Sequence, residues 1–574
     1  MMQNNGAHFW DKFDFSYQAQ GSDTELHLPL KLLLLGDFSG SNDFELSTSP
    51  IPVSIDASSF DRVLASHAIS LSLEVAQPAD NSGLSFELME IPLNGLSDFE
   101  PAQLVQNVPY LNLHLSLIRE LQAADDAVEC SALSDAARQL LQRCGVDVET
   151  ISLVERDFIC MDINEHLHQM LDGVLQDDQF QHLEALWRSV WQVCQVADAY
   201  DDCHVDLLDV SKAALNDDFV ANRDVRESLL FDVVYFSEFA QYGGQPYGAI
   251  VADYEFGHGT EDVQLLRSIA QVGYAAHVPF ISGASPQFFG REDFSDMGTG
   301  LDLQEQLSGP RYIKWRNLLQ ESWANYLALA LPRILVRQRY DYPAGHIGLL
   351  PYREGSSLSS GKSLLGNAAF GFAQCLLNSF GELGICTRIA GETGGQTDTP
   401  FSEAPSYGRY PVETRFSERK ISELVLQGFL PLTVNAASGQ LYFPVAYSLR
   451  WGGLHQPGWQ INDSFFDSQV EAQLPYLFVV ARIAHYLKVV QRESLGSLQS
   501  TSELETELNR WLRRYISDVD NPAPGIRMRK PLRQAELRVL EDSERGGLHM
   551  QLSVTPHMKF QGQDFTLALN LLAE

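Results

Sequence analysis

The string closest to chemistry in this sequence is Gly355-Ser356-Ser357-Leu358-Ser359-Ser360-Gly361-Lys362-Ser363. A phosphate cradle aims backbone N–H groups at the anion and needs four residues between its glycines. Here five intervene. The preceding Gly348-Leu349-Leu350-Pro351-Tyr352 contains a proline unsuited to a central strand, so the strand that should deliver such a loop is also missing. A Ser/Gly surface loop is expected, with a nucleotide-binding enzyme as the alternative from another class. Asp198, Asp201, Asp202, His204, Asp206 and Asp209 are dense enough for a hard cation, yet they lack the alternating spacing and central glycine of a calcium loop. A solvated acidic turn is expected. His166 and His168 lie two apart on a presumed helix and face different ways, so they cannot share a metal. Ser285 in Gly283-Ala284-Ser285-Pro286-Gln287 lacks the second glycine of a nucleophile elbow, and Pro286 has no N–H for an oxyanion hole. No catalytic residue, cofactor site or metal set is expected, which leaves a structural or interaction protein.

Composition narrows this further. At roughly 150 residues per domain, 574 residues imply about three to four domains, and 45% apolar residues suffice for buried cores. Forty Lys+Arg against 75 Asp+Glu give a net charge of −35, which repels nucleic acid and anionic membrane surfaces. Met1 to Trp10 has neither a basic segment nor an apolar core, so no secretory signal is read and a cytoplasmic location is expected. The greasiest stretch, Leu474 to Val490, carries Arg482, His485 and Lys488 and falls short of the ~18 uncharged residues of a membrane span. The seven cysteines form no C-x-x-C pair, and buried reduced thiols are expected.

The elements that would position these residues are legible from periodicity. Leu28 to Leu35 reads as a buried strand ended by Gly36-Asp37-Phe38-Ser39-Gly40. Ile69, Leu71, Leu73 and Val75, then Leu84, Phe86 and Leu88, alternate as a hairpin. Leu104, Val108, Leu111, Leu115 and Ile118 form one helical pattern. Two amphipathic helices are read through Ile163 to Val174 and Phe180 to Val190. Strands at 205–208, 250–251 and 278–281 alternate with a helix at 263–276, as in a partly parallel sheet. Residues 321–337, 470–490 and 502–515 are predicted helical, and three alternating runs from Ala535 to Leu569 predict a meander.

Leu28-Pro29-Leu30-Lys31-Leu32-Leu33-Leu34-Leu35-Gly36-Asp37-Phe38-Ser39-Gly40, with Ile55-Asp56, Phe60 to Leu64, Asp98-Phe99-Glu100-Pro101 and Val108-Pro109-Tyr110-Leu111, resembles the small subunit (VipA/TssB) of the contractile sheath of bacterial type VI secretion systems. From about residue 160 onward the chain resembles the large subunit (VipB/TssC). The carriers are Phe180 to Arg188 with Trp187 and Arg188, Gly243-Gly244-Gln245-Pro246-Tyr247-Gly248, Asp253-Tyr254-Glu255-Phe256, and Ala275-Ala276-His277-Val278-Pro279-Phe280. Pro332-Arg333, Gly366-Asn367, Gly428 to Leu432 and Arg529 to His557 follow in order. Leu365 departs from the family's usual tryptophan, and Gly391 to Gly395 only approximates its glycine-rich turn. In the family, the small subunit's C-terminal arm and the large subunit's N-terminal arm complete sheets of neighbouring subunits; here a connector, 123–160, stands in their place.

The resemblance implies a mixed α/β, multi-domain sheath-protein fold: a small N-terminal α+β unit (1–122), the connector with one short helix (123–160), a large α/β body (161–515) and a C-terminal β-meander (516–574). It implies a fused small-large structural protomer whose partners are other sheath subunits or copies of itself, with inner tube and baseplate proteins beyond them. A sheath-like accessory that caps, nucleates or limits the polymer is the alternative within the family. The motif residues, from Gly36 and Asp37 through Asp98, Phe99 and Pro101 to Asn367, are expected to be structural. Leu537, Val539, Leu548, Met550, Leu552, Val554, Phe565, Leu567 and Leu569 are expected to form the subunit-contact face.

Overall fold

A computed structural model describes residues 16–18, 25–40, 50–76, 86–123, 127–129, 133–143, 150–297, 302–355, 362–397, 410–435, 438–455, 468–494, 501–519, 530, 532–541, 548–556 and 567–572. At its centre is a seven-stranded sheet in a mixed α/β fold. Its order is Leu430–Pro431, β12 (Leu327–Leu331), β11 (Phe280–Ala284), β10 (Ala249–Phe256), β3 (Leu30–Gly36), β9 (Cys203–Asp209) and β4 (Val53–Ile55). Neighbours run parallel except β4, which is antiparallel to β9. β1 (Ser16–Gln18) and β2 (Glu25–His27) form a separate short hairpin.

β3 belongs to the stretch read as the small N-terminal unit, yet it lies between β10 and β9 of the body. Its run of leucines follows from that position. Leu30, Leu32 and Leu34 enter the core on one face, Leu33 and Leu35 the core on the other, and a strand covered on both faces has no polar side to show. Burial of these leucines contributes on the order of 10 kcal/mol before chain entropy is subtracted. The described apolar residues of this stretch therefore share their core with the body.

Several expectations need correction. Residues 321–337 are not a helix: a short turn, Ser322–Tyr326, leads into β12, whose five residues are all buried. A short apolar run is ambiguous between helix and strand, and sheet pairing on both sides decided it. In the hairpin β5 (Ile69–Ala76) and β6 (Phe86–Leu93), register pairs Leu73 with Met89 and Leu71 with Ile91. Met89, Ile91 and Leu93 are therefore the buried face, and Leu88 is 64% exposed. The larger apolar set took the core. Leu84 lies outside the described residues. After α1 (Phe60–Ser66), the single helix read around Val108 is two, α2 (Pro101–Asn107) and α3 (Pro109–Ala123), because Pro109 holds Val108 extended.

The connector folds back on the chain. β7 (Val128–Glu129) pairs with β8 (Thr150–Ile151), and α4 (Asp135–Arg143) packs Leu140 and Leu141 against Leu117 and Leu121 of α3 and Ile159 and Ile163 of α5 (Leu153–Leu175). A capping box between Ser152 and Glu155 starts α5, and Asp177 caps α6 (Asp178–Ala197). Five described cysteines, Cys160, Cys194, Cys203, Cys375 and Cys386, are buried free thiols. Among the described residues no helix is long and apolar enough to cross a membrane.

Candidate assembly interface

Three structural features bear on assembly, the first being the junction between the two sheath-like parts. Lys31, a lone cation in β3, bonds Asp206 of β9 at 2.8 Å and Glu238 at 3.0 Å. Burial works against its ammonium, but these two carboxylates outweigh it and raise its pKa. Tyr247 donates to Asp206 at 2.8 Å and lies under the Lys31 ammonium at 4.6 Å. The Gly248 N–H donates to the Lys31 carbonyl, and a Cβ at Gly248 would lie 2.3 Å from Leu30, so Pro246-Tyr247-Gly248 is the seat of β3. Trp187 donates to the Phe38 carbonyl at 3.1 Å and packs on Phe38 and Phe60, while Leu186 crowds Gly36.

The acidic group read as a solvated turn does more than that. Asp209 accepts from the Phe38 N–H and pairs with His67, Asp198 accepts from the Ala57 N–H, and Asp206 is buried. These aspartates fasten the first part to the body. Farther along, the helix Leu474–Ser494 sends Arg482 to the carbonyls of Leu28 and Pro29, and Tyr486 accepts from the Leu28 N–H. Severing the connector near Ala132 should therefore leave two pieces that co-elute in gel filtration, and independent elution would contradict the junction.

Second is the Asp253-Tyr254-Glu255-Phe256 motif. Ile250 and Val251 pair with Phe280 and Ile281, but Glu255 pairs with Gly283, so β10 bulges over residues 252–254. Ser282 donates to the carbonyls of Ala252 and Tyr254, and Asn367 donates to Tyr254 at 3.0 Å, which satisfies groups the bulge removes from the ladder. A Cβ at Gly283 would meet the Asn367 amide at 2.7 Å. Tyr254 and Phe256 point into one core, Tyr254 donating to the Val210 carbonyl at 2.6 Å. Asp253 and Glu255 instead line a cleft of 1820 Å³, with Arg333, which pairs with Glu413 at 2.7 Å.

The other motif residues have local structural roles. Asp98 accepts from the N–H groups of Asn94 and Gly95, Phe99 packs on Phe180, and Pro101 opens α2. His277 ends the helix Thr260–Ala276 in a left-handed conformation at φ 55° and meets the Tyr326 hydroxyl at 3.0 Å. Pro279 accepts from the Ile250 N–H, Phe280 packs on Phe256, and Pro332 follows β12. Arg188 bonds Glu184, which also takes Arg337. His166 meets His114 and His168 meets the Ile347 carbonyl, so the two do face apart. Lys362 is held by Asp178, and residues 356–361 of its loop lie outside the described residues.

Third is the C-terminal meander of Leu532–Glu541, Leu548–Pro556 and Leu567–Leu572, in that order. Leu537, Val539, Leu552 and Val554, expected at a subunit contact, are buried against Ile483, Leu487, Leu508 and Leu512 of this chain. The reason is that a small sheet needs a second layer, and the helices Leu474–Ser494 and Thr501–Leu512 supply it. The side chains of Leu548, Met550, Leu567 and Leu569, and Phe565 altogether, lie outside the described residues. The first strand's outer edge is also covered. Asn509 bonds both the N–H and the carbonyl of Leu537, and Glu505 accepts from the Val539 N–H. The third strand has no paired strand beyond it among the described residues.

Sequence reasoning placed Asp206 in a solvated turn and gave no role to Lys31, Glu184, Arg337, Asn509 and Glu505. A single charge inside an apolar strand or helix, as at Lys31 and Arg482, is the signal that was available.

A β-strand from one part completing the sheet of another marks a chain whose two parts fold together as one body. Residues 157–450 match the VipB family, described as EvpB/VC_A0108, tail sheath N-terminal domain, and 464–572 match its tail sheath gpW/gp25-like domain. Residues 12–147 match the family described as Type VI secretion system, VipA, VC_A0107 or Hcp2. The chain belongs to the VipB family of type VI secretion sheath proteins and carries a VipA-type part in the same polypeptide. It is a structural sheath component. The sheath protein TssC1 of Pseudomonas aeruginosa is 28% identical over 465 residues, covering 79% of this chain and 92% of that protein. Among solved structures, the contracted helical sheath of the anti-feeding prophage aligns at a TM-score of 0.32 with 11% identity, over 66% of this chain and 76% of that one. A sheath tail protein of Listeria innocua aligns at 0.28 with 8% identity, over 56% of each.

Proposed function

We propose that this chain is a fused small-large sheath protomer, acting in the cytoplasm without catalysis, that joins other sheath subunits or its own copies by strand addition to Leu567–Leu572. The single observation that carries the reading is the difference between the meander's two edges: one is sealed by Asn509 and Glu505, and the other carries no further strand among the described residues. An exposed edge is a template for another chain's backbone. Inner tube and baseplate proteins are its further partners in this reading, and the segments 1–122, 123–160, 161–515 and 516–574 are its sequence units.

Edge chemistry gives a selective test. Leu537 turns its N–H and carbonyl away from the second strand, and antiparallel alternation then makes Leu552 bond toward the third, opposite Leu569. Ala568 and Asn570 therefore present their N–H groups outward. Asn570→Pro should remove one outward donor, leave circular dichroism unchanged and reduce association at least tenfold, whereas Leu569→Pro should break the ladder itself. Full association by a folded Asn570→Pro would remove the reading. Leu552→Asp does not serve, because its charge would be buried against the chain's own helices.

A second reading, an accessory that caps the polymer, is favoured by the pairing of β7 with β8: the two ends of the connector satisfy each other and donate no strand from there. Electron microscopy of the purified chain separates the two readings. Long hollow tubes support the protomer, and particles only at sheath ends support the cap.

A further inference from the structure

The cleft at the carboxyl ends of the central strands holds one acid without a partner to match it. The bulge in β10 turns Asp253 into the cleft, where its side chain is nine-tenths buried. It makes no hydrogen bond among the described residues. Among the described residues its only ion-pair neighbour is His182 of α6, at 3.8 Å and half exposed. The other deep acids of this cleft are neutralised: Glu413 by Arg333 at 2.7 Å, Glu354 by Arg337 at 2.6 Å. Glu255 has Arg333 at 3.9 Å. Those same contacts occupy Arg333 and Arg337, so neither is left to neutralise Asp253. A buried, unpaired carboxyl is costly to keep, and such groups gather where a ligand completes them.

We propose that this cleft receives a cationic side chain of another protein, an ammonium or guanidinium, with Asp253 as its counter-ion. A metal ion does not fit, since among the described residues no three His, Cys, Asp or Glu side chains converge to hold one. The groups that bear on Asp253 are His182 of α6 and Glu255 of its own strand; Asp37 after β3 also feels His182, together with Asp209 of β9. Burial foremost, with Glu255 adding to it and His182 opposing, pushes the Asp253 carboxyl up to about 7. An incoming cation takes the place of the carboxyl proton, which leaves to solvent, so charge balances at the site. Docking strengthens as pH rises through that value. This site is separate from the meander edge and does not rest on strand addition.

The test uses the full-length chain and calorimetry with Nα-acetyl-L-argininamide, its neutral isostere Nα-acetyl-L-citrullinamide, and spermidine as a free polyamine, the acetyl group removing the α-amine that would otherwise titrate in the same range. Argininamide should bind the wild type and bind about tenfold more tightly at pH 8 than at pH 6, since about a tenth of the carboxyl is ionised at the lower pH. Asp253→Asn should lose that binding at least tenfold. Because asparagine matches the protonated acid in shape, the variant should also melt no lower than the wild type at pH 8. Absence of argininamide binding, equal binding of citrullinamide, undiminished binding by Asp253→Asn, or a melting temperature lowered by that substitution would each overturn the proposal. Tighter binding of spermidine than argininamide would overturn the side-chain assignment.

Discussion

Arg337→Met should lower stability by about 3–5 kcal/mol, read as a fall in the urea midpoint. Arg337 Nε donates to Glu184 at 2.6 Å, Nη2 to the other Glu184 oxygen at 2.9 Å, and Nη1 to Glu354 at 2.6 Å. Its guanidinium also lies over the Tyr340 ring at 4.2 Å. The two glutamates are 0% and 1% exposed, so water cannot replace the cation. Glu184 would keep Arg188, but Glu354 would keep only neutral donors, Gln176 and the Tyr340 N–H. The loss therefore comes mainly from one stranded carboxylate, and Arg337→Met with Glu354→Gln should recover most of it. Arg337→Lys should fall between, because a single ammonium cannot span both carboxylates as the planar fork does. An unchanged midpoint for Arg337→Met would show that the network does not hold α6 to the segment after β12.

Acid should destabilise this protein steeply, and His277 and His485 are the reason. Burial is the main cause in both, holding His277 at about 4 and His485 at about 3. For a base whose folded pKa is depressed, the stability is fully present above the unfolded value of ~6.5 and is lost as pH falls below it. Each histidine then costs about 1.4 kcal/mol per pH unit until its folded pKa is reached. Asp253 works in the opposite sense, its raised pKa giving back stability as pH falls through about 7. Between pH ~6.5 and 4 two histidines oppose one aspartate, so the three together lose about 1.4 kcal/mol per pH unit. His277→Asn isolates one of them, since asparagine tolerates the left-handed cap at φ 55°. Its urea midpoint should fall less between pH 6.5 and 4 than the wild type's, by about 1.4 kcal/mol per unit. Parallel pH profiles would exclude His277 as a cause.

Much of the fold was legible where periodicity and burial agree. β3, β10, β11 and the meander strands were read at or near their positions because an apolar run or alternation has one reasonable partner geometry. β12 was misread because its run, Leu327 to Leu331, is apolar on every face, and only its neighbours β11 and Leu430–Pro431 make it a strand. Leu88 was placed on the wrong face for a related reason: alternation is visible in sequence, but which of two alternating sets faces inward is decided by the opposite strand. The site was less legible. That Asp206 and Asp209 hold the first part depends on a strand more than 160 residues away, and no local pattern encodes that. The sealing of Leu537 by Asn509 is likewise a contact between a helix and a strand edge.

The most direct measurement of the central claim is a cryo-electron microscopy reconstruction of sheath particles that contain this chain, at a resolution that separates β-strands. The account predicts that β3 lies between β9 and β10 of the same polypeptide, and that a fourth strand from another chain lies along Leu567–Leu572 while the Leu532–Glu541 edge stays capped by Asn509 and Glu505. A bare third-strand edge in every position the chain occupies, or a foreign strand on the Leu532–Glu541 edge, would contradict it.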